Sequence, residues 1–115
     1  MLSQLQINRI RKTIEREDER LPIVFGALSD ARRYRIFRLL LEHRDLCVTE
    51  IAKIFGISVP AASQQLKILE MTGLIRRERM GQSICYEIKI ADPMIRSLIR
   101  TMDDKKGRTQ TKTEP

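Results

Sequence analysis

The chain has few of the residues that metal chemistry, disulfide scaffolds and base stacking require. It contains two cysteines, one histidine, five aromatic side chains and no tryptophan. Two cysteines are too few for a disulfide scaffold, and Cys47 and Cys85 do not form the Cys-x-x-Cys pair that indicates zinc or thioredoxin-like chemistry. We therefore expect both cysteines to be thiols in a reducing compartment.

Long apolar runs are also missing. No stretch approaches the roughly 20 apolar residues that cross a bilayer, and no charged-then-apolar leader precedes a small-residue cleavage site. These absences predict a cytoplasmic protein without a membrane partner. The chain also shows no nucleophile and base, no phosphate-cradling glycine loop and no carboxylate cluster at a catalytic spacing. We expect neither an enzyme nor a cofactor.

Positive charge is what the chain has in excess. Its 22 lysines and arginines against 15 acidic residues give a formal net charge of +7 over 115 residues, a length that suits one domain. Such an excess favours a polyanionic partner, and charge alone permits a nucleic acid or an anionic membrane surface.

Two amphipathic helix patterns meet at a glycine in residues 49–69. The first runs from about Thr49 to Phe55 and stops at Gly56, which takes the left-handed conformation more easily than other residues. Ser58 can cap the second helix, and Pro60 fits its first turn, where a missing N–H does no harm. Two helices joined in this way predict a helix-turn-helix whose second helix enters a DNA groove.

A basic hairpin follows in residues 73–88, with Gly81 at its tip. Alternation along its second strand places Ile84, Tyr86 and the next isoleucines on the packed face and Cys85 on the face toward solvent or DNA. Residues 46–48 are short, apolar and partly β-branched, which predicts a third edge strand. The expected fold is α+β, mainly α with a small β-hairpin: a winged helix-turn-helix with about five helices and two or three short strands.

Three segments of this sequence match the motifs of one known family. Residues 28–36, LSDARRYRI, resemble the opening L-[SG]-[DN]-x-x-R-x-x-I, and residues 59–69, VPAASQQLKIL, resemble small residues followed by S-x-H-L-x-x-L. Gly73-Leu74-Ile75, the Arg76-Arg77 arm, Gly81 and Tyr86 match the wing. Over about Leu28 to Ile90 the chain therefore resembles the ArsR family of winged-helix transcriptional regulators. The resemblance implies a symmetric dimer, with the first and last helices at its interface, on an operator usually vacated when an inducer arrives.

Apolar stripes in the two terminal helices agree with such a dimer. Pro22 is expected to end the first helix, and Asp92 and Pro93 to open the last. We predict an N-terminal dimerisation helix over 1–21, the DNA-binding winged helix over 22–91, a C-terminal dimerisation helix over 92–104 and a disordered tail over 105–115. The predicted interface residues are Ile7, Ile10, Ile14, Met94, Ile95, Leu98, Ile99 and Met102.

The predicted DNA contacts lie on the second helix of the helix-turn-helix and on the wing. Gln64 and Gln65 can pair with adenine edges, whereas Ser63 and Lys67 fit phosphate. The wing is expected to supply affinity on the backbone or in the minor groove. The full set is Ser58, Pro60, Ala61, Ser63, Gln64, Gln65, Lys67, Arg76, Arg77, Arg79, Gln82 and Ser83.

The sequence lacks most of the residues with which members of this family bind a metal inducer. The family's thiolate motif has cysteines at the positions of Cys47 and Thr49, and only the first is present here. One thiol cannot supply the three or four soft ligands that a metal needs, so no metal site is predicted and the effector stays open. On the polar strand face, Cys85 is a candidate for redox control, because oxidation there would add size or charge near DNA.

The leading hypothesis is a homodimeric repressor that binds a palindromic duplex operator, with the second helix of the helix-turn-helix in the major groove. The alternative is a winged helix used for contacts with protein or RNA, without operator specificity. No aromatic residue is interleaved with the basic wing, which disfavours stacking on single-stranded RNA.

Overall fold

The computed structural model describes residues 1–16 and 19–113, with their side chains up to Asp103. Glu17 and Asp18, which the sequence places near the end of the first helix, lie outside the described residues, as do the last two residues of the predicted tail. The elements in chain order are α1 (Gln4–Glu15), α2 (Arg20–Leu28), α3 (Ala31–Glu42), β1 (Leu46–Cys47), α4 (Val48–Phe55), α5 (Val59–Met71), β2 (Ile75–Met80), β3 (Ser83–Ile88) and α6 (Pro93–Thr113).

These elements form a winged helix-turn-helix, as the sequence predicts. Helices α4 and α5 are its two helices, and the β2–β3 hairpin is its wing. Gly56 ends α4 in the left-handed region with φ 63°, a conformation in which a side chain on this residue would be strained. The Ser58 hydroxyl caps α5 by accepting from the backbone N–H of Ala61 at 3.2 Å. Both ends of the turn are therefore set by local residues.

The sheet has three antiparallel strands in the order β1-β3-β2. The predicted third strand is present, since Leu46 lies opposite Tyr86 and Cys47 opposite Cys85. Gly81, with φ 65°, makes the tight turn between the two strands of the wing. Because β3 is the middle strand and both α3 and α4 pack against it, its residues are less accessible than those of an exposed hairpin.

One helix was missed. Pro22 is not the end of the first helix, contrary to what its sequence context predicts, because α1 ends at Glu15 and Pro22 lies in the first turn of α2. The N–H groups of a first helical turn have no partner within the helix, so a proline there costs little. Pro22 thus helps to begin a helix, and Val24 and Ala27 of that helix are buried. The described chain has six helices rather than five.

The last helix also differs from its expected length. Asp92 opens α6 by accepting from the backbone N–H of Met94 at 3.0 Å, as expected. The helix then continues to Thr113, through most of the segment predicted to be disordered. No described helix is both long and apolar enough to span a bilayer.

The core lies where α2, α3, α4, α5, the sheet and α6 meet. Its largest fully buried side chains include Ile36 and Phe37 of α3, Leu66 and Leu69 of α5 and Ile95 of α6. Burial of one such side chain contributes about 1.5–3 kcal/mol. Helix α1 is different, because none of its residues is buried.

Candidate nucleic-acid interface

The exposed side of α5 carries most of the predicted base contacts. Ser58, Pro60, Gln64 and Lys67 are exposed, and Ala61 and Ser63 are half-buried. The opposite side of the helix is anchored in the core by Ala62, Leu66 and Leu69. No acidic residue occurs on this helix before Glu70, so its N-terminal part can approach phosphates without charge repulsion.

Gln65 is placed differently from Gln64. The Oε1 atom of Gln65 accepts a hydrogen bond from Nη1 of Arg33 at 3.2 Å, while Nε of Arg33 donates to the carbonyl oxygen of Ala27 at 2.9 Å. Arg33 therefore connects the end of α2 to the exposed helix α5. No local sequence pattern indicates this positioning role of Arg33, because its two partners lie on other elements.

The three arginines of β2 are in unequal environments. Arg76 is ion-paired with Glu87 across the hairpin, and its Nη2 lies 3.8 Å from Oε2 of Glu78. Nε of Arg77 lies 3.6 Å from Oε2 of Glu70 on α5. Arg79 is exposed and forms no ion pair with any described side chain. Of the three, Arg79 is the one whose charge is fully available to a phosphate.

The tip of the wing is accessible. Gln82 and Ser83, which the sequence predicts as DNA contacts, are both exposed beside Gly81. Met80 is also exposed, at 49%. The tip of the wing therefore presents polar groups and the positive charge of Arg79 to solvent.

A cavity of about 360 Å³ lies between α5 and the wing. It is lined by Ser63 and Lys67 from α5, by Arg77 from β2, and by Glu70, Val48, Ile84 and Tyr86. The charged groups of Lys67 and Arg77 and the hydroxyl of Ser63 can bind an anionic oxygen, and the Glu70 carboxylate offsets part of their positive charge. Ser63, Lys67 and Arg77 are each predicted as DNA contacts from the sequence, and the fold brings the three side chains to one cavity.

Tyr86 forms part of the wall of this cavity rather than an exposed contact. It is 6% exposed, as the alternation along β3 predicts. Burial raises the pKa of its hydroxyl, and the Glu70 carboxylate raises it further. The phenol therefore stays protonated at neutral pH.

The expectation of two free thiols is wrong. Cys47 and Cys85 are joined by a disulfide bond between β1 and β3. Cys85 is also 2% exposed rather than on an open face, because β3 is the central strand and helices pack against it. Among the residues that the structure describes, no group of three or more histidines, cysteines or carboxylates could hold a metal ion.

The predicted interface residues divide into two groups. Ile10 and Ile14 of α1 are exposed at 47% and 65%, and Ile7 is half-buried. On α6, Ile95 and Met102 are buried in the core of the chain itself, while Met94, Leu98 and Ile99 are half-buried against it. Part of the α6 stripe thus packs against the core of its own chain, whereas no residue of the α1 stripe is fully buried.

Comparison with known proteins agrees with this geometry. The profile described as "Bacterial regulatory protein, arsR family" matches residues 30–77, from the N-cap of α3 into the wing. The transcriptional repressor SdpR of Bacillus subtilis is 40% identical over 65 residues, which are 56% of this chain and 71% of SdpR. The chain belongs to the ArsR family.

Two further proteins, one compared by sequence and one by structure, are also similar to this chain. A SmtB homolog of Synechocystis, named a transcriptional repressor, is 34% identical over 80 residues, which are 70% of this chain and 58% of that relative. The homodimeric winged helix-turn-helix DNA-binding domain of Mb0332 from Mycobacterium bovis superposes with a TM-score of 0.67 at 25% identity, covering 84% of this chain and 87% of that one. The ArsR family is one of transcriptional regulators rather than enzymes.

Proposed function

We propose that the protein is a cytoplasmic, homodimeric transcriptional repressor that binds a palindromic site in duplex DNA. The observation that carries this proposal is the exposed face of the N-capped helix α5, beside a wing whose Arg79 forms no ion pair with any described side chain. In this arrangement α5 enters the major groove, and the wing binds the backbone or the minor groove. The repressor role is supported by the names of the SdpR and SmtB-type relatives.

Within the proposed site, side chains divide by chemistry. Gln64 is the exposed amide that can donate to and accept from one adenine edge, so it contributes to the choice of sequence. Lys67, Ser63, Arg77 and Arg79 bind phosphates, and Arg33 holds α5 in position through Gln65. Ser58, Pro60 and Ala61 form the end of the helix that approaches the bases.

Dimerisation is proposed because α1 carries an apolar stripe of which no residue is fully buried in its own chain. Leu5, Ile10 and Ile14 are 61%, 47% and 65% exposed, and Ile23 and Phe25 of α2 are 58% and 56% exposed. A second copy related by a two-fold axis would cover the same stripe on both chains and would bring two α5 helices to successive major grooves, about 34 Å apart. The homodimeric Mb0332 domain supports this assembly.

The proposal is tested by selecting duplexes from a random pool and then measuring affinity at two salt concentrations. We expect a palindromic sequence, bound more tightly than unrelated duplexes, and an affinity that falls as salt rises. No enrichment of any sequence would contradict the proposal and favour the alternative module for contacts with protein or RNA.

Gln64→Ala provides the residue-level test of the same proposal. Loss of one paired base contact is expected to reduce discrimination at one position of each half-site by about 1–3 kcal/mol. Met71→Ala is the control, because Met71 is an exposed residue at the other end of α5. A uniform loss of affinity for all sequences in Gln64→Ala would assign this side chain to the backbone instead.

A further inference from the structure

The disulfide joins two parts of the DNA-binding unit that are far apart in sequence. Cys47 and Cys85 are separated by 38 positions and lie directly opposite each other in the antiparallel pair of β1 and β3. Cys47 is also the N-cap residue of α4, the first helix of the helix-turn-helix. Cys85 lies on the wing strand that pairs with β2, which carries Arg77 and Arg79. The bond therefore couples the start of the helix-turn-helix to the wing.

The pairing that surrounds this bond is short. Strand β1 consists of two residues, Leu46 and Cys47, and these two form its whole pairing with β3. Nonbonded heavy atoms rest about 3.5–4 Å apart, whereas the sulfur atoms of a disulfide lie about 2 Å apart. Reduction therefore requires β1 and β3 to separate or their side chains to turn. Since β3 is one of the two strands of the wing, a separation of β3 from β1 can change the position of the wing relative to α5.

We propose that Cys47 and Cys85 form a reversible redox switch in which the disulfide lowers the affinity for duplex DNA. This inference rests on the proposed function. In the bonded structure, Arg77 lies 3.6 Å from Glu70 of α5, so the wing is held against this helix with part of its charge neutralised. Freed from β1, the wing can move Arg77 away from Glu70 and toward a phosphate. Disulfides in the cytoplasm are usually transient and serve catalysis or redox sensing, which agrees with a switch.

The oxidant is a hydroperoxide such as hydrogen peroxide. Cys47 is the more accessible cysteine, because it is half-buried whereas Cys85 is 2% exposed. Its sulfur attacks one peroxide oxygen, the O–O bond breaks and the leaving hydroxide takes a proton to give water, which leaves a sulfenic acid. The Cys85 sulfur then attacks the Cys47 sulfur, the S–O bond breaks and the hydroxide leaves with the Cys85 proton as a second water. The two sulfurs together lose two electrons, and the peroxide gains them.

Reduction returns the thiols by exchange with a dithiol. One thiolate of the dithiol attacks the Cys47 sulfur, and Cys85 leaves as a thiolate that takes up a proton. The second thiol of the dithiol then attacks its own mixed disulfide, which releases Cys47 as a thiol and oxidises the dithiol to a ring. No other group is consumed.

The test compares the full-length protein after reduction with dithiothreitol and after treatment with hydrogen peroxide. Thiols are counted in denaturant, and the intact mass and a non-reducing gel report whether the bond is within one chain. Affinity is measured for the duplex selected from the random pool. We expect the oxidised chain to lose two thiols and the mass of two hydrogen atoms, to bind DNA at least about fivefold more weakly, and to recover with dithiothreitol.

Cys47→Ser is the matched variant, since its position is partly exposed and the change is small. It retains Met80 of the wing, so any effect of methionine oxidation, which dithiothreitol does not reverse, appears equally in the variant. We expect it to bind like the reduced protein and to lose its reversible response to peroxide. Cys85→Ser should behave in the same way, and Cys47→Ser alone carries the test if the buried substitution unfolds the chain.

Three results would overturn the switch: two thiols that survive peroxide, an oxidised protein that binds DNA as tightly as the reduced protein or more tightly, or a reversible response that persists in Cys47→Ser. A reduced protein that selects no DNA sequence would instead overturn the proposed function and, with it, the DNA-binding half of this inference. The thiol count separates these cases, because it does not depend on DNA.

Discussion

At the scale of single residues, the positive charge that each wing arginine can offer to DNA depends on whether a carboxylate is ion-paired with it. Arg76, Arg77 and Arg79 lie on one short strand, yet Arg76 is ion-paired with Glu87, Arg77 lies near Glu70 and Arg79 has no described partner. An arginine held by a carboxylate has less charge to offer a phosphate. The residue that the structure favours for backbone contact is therefore Arg79.

Arg79→Ala is expected to weaken binding to all DNA sequences by about fivefold, or about 1 kcal/mol, because one phosphate contact is lost. The slope of log affinity against log salt should become shallower by about 1. Arg44→Ala is the control, since it removes the same charge from an exposed residue before β1. Salt titrations of both variants check this, and equal effects would show that only net charge matters.

At the scale of elements, α2 and α6 are linked where each begins. Nη1 of Arg20 lies 2.9 Å from Oδ2 of Asp92, and Oδ1 of Asp92 accepts from the first turn of α6. The Arg20 side chain lowers the pKa of the Asp92 carboxyl, with a further contribution from the Met94 N–H. The same acid therefore caps one helix and holds another.

Asp92→Asn is expected to reduce stability at pH 7 more than at pH 3. A carboxyl whose pKa is lower in the folded state stabilises the fold above its unfolded value of about 3.9, and this contribution is lost as the pH falls through the lower folded value. Thermal unfolding of wild type and variant between pH 7 and pH 3 measures the difference. Asp103→Asn, an exposed aspartate on the same helix, should show a smaller dependence on pH.

The helix-turn-helix and the wing were predictable from sequence because their signals are local. Ser58, Pro60 and Gly56 define the ends of helices through contacts a few residues away, and period-two alternation placed Tyr86 in the core. Pro22 was misinterpreted because the same residue can end one helix or begin the next. Which of the two roles Pro22 has depends on whether Val24 and Ala27 are buried, and that burial is set by tertiary packing.

At the scale of the whole molecule, the fold of one chain leaves an apolar surface uncovered. Helix α1 buries no residue, while α6 already packs Ile95 and Met102 into the core. The apolar stripe of α1 is therefore exposed in the single chain, whereas part of the α6 stripe is already packed within it. In the proposed dimer, α1 and the exposed residues of α2 gain most from association.

Ile14→Glu is expected to convert the dimer to a monomer at micromolar concentration, because a charge would be buried in the apolar interface. Ile14 is 65% exposed in the single chain, so the fold itself should remain intact. Ile54→Glu on α4, where Ile54 is 55% exposed, is the control and should remain dimeric. Sedimentation equilibrium with circular dichroism measures both; a dimer of unchanged strength in Ile14→Glu would place the interface elsewhere.

Local sequence signals were sufficient for the two helices of the helix-turn-helix, the turn at Gly56, the capped start of α5 and the β-hairpin of the wing, because each depends on residues within one or two turns of chain. Tertiary packing was needed to bring Cys47 to Cys85, Arg33 to Gln65 and Glu87 to Arg76. These contacts join residues 11 to 38 positions apart. Their partners are selected by strand register and helix packing, which bring together residues that no local pattern connects.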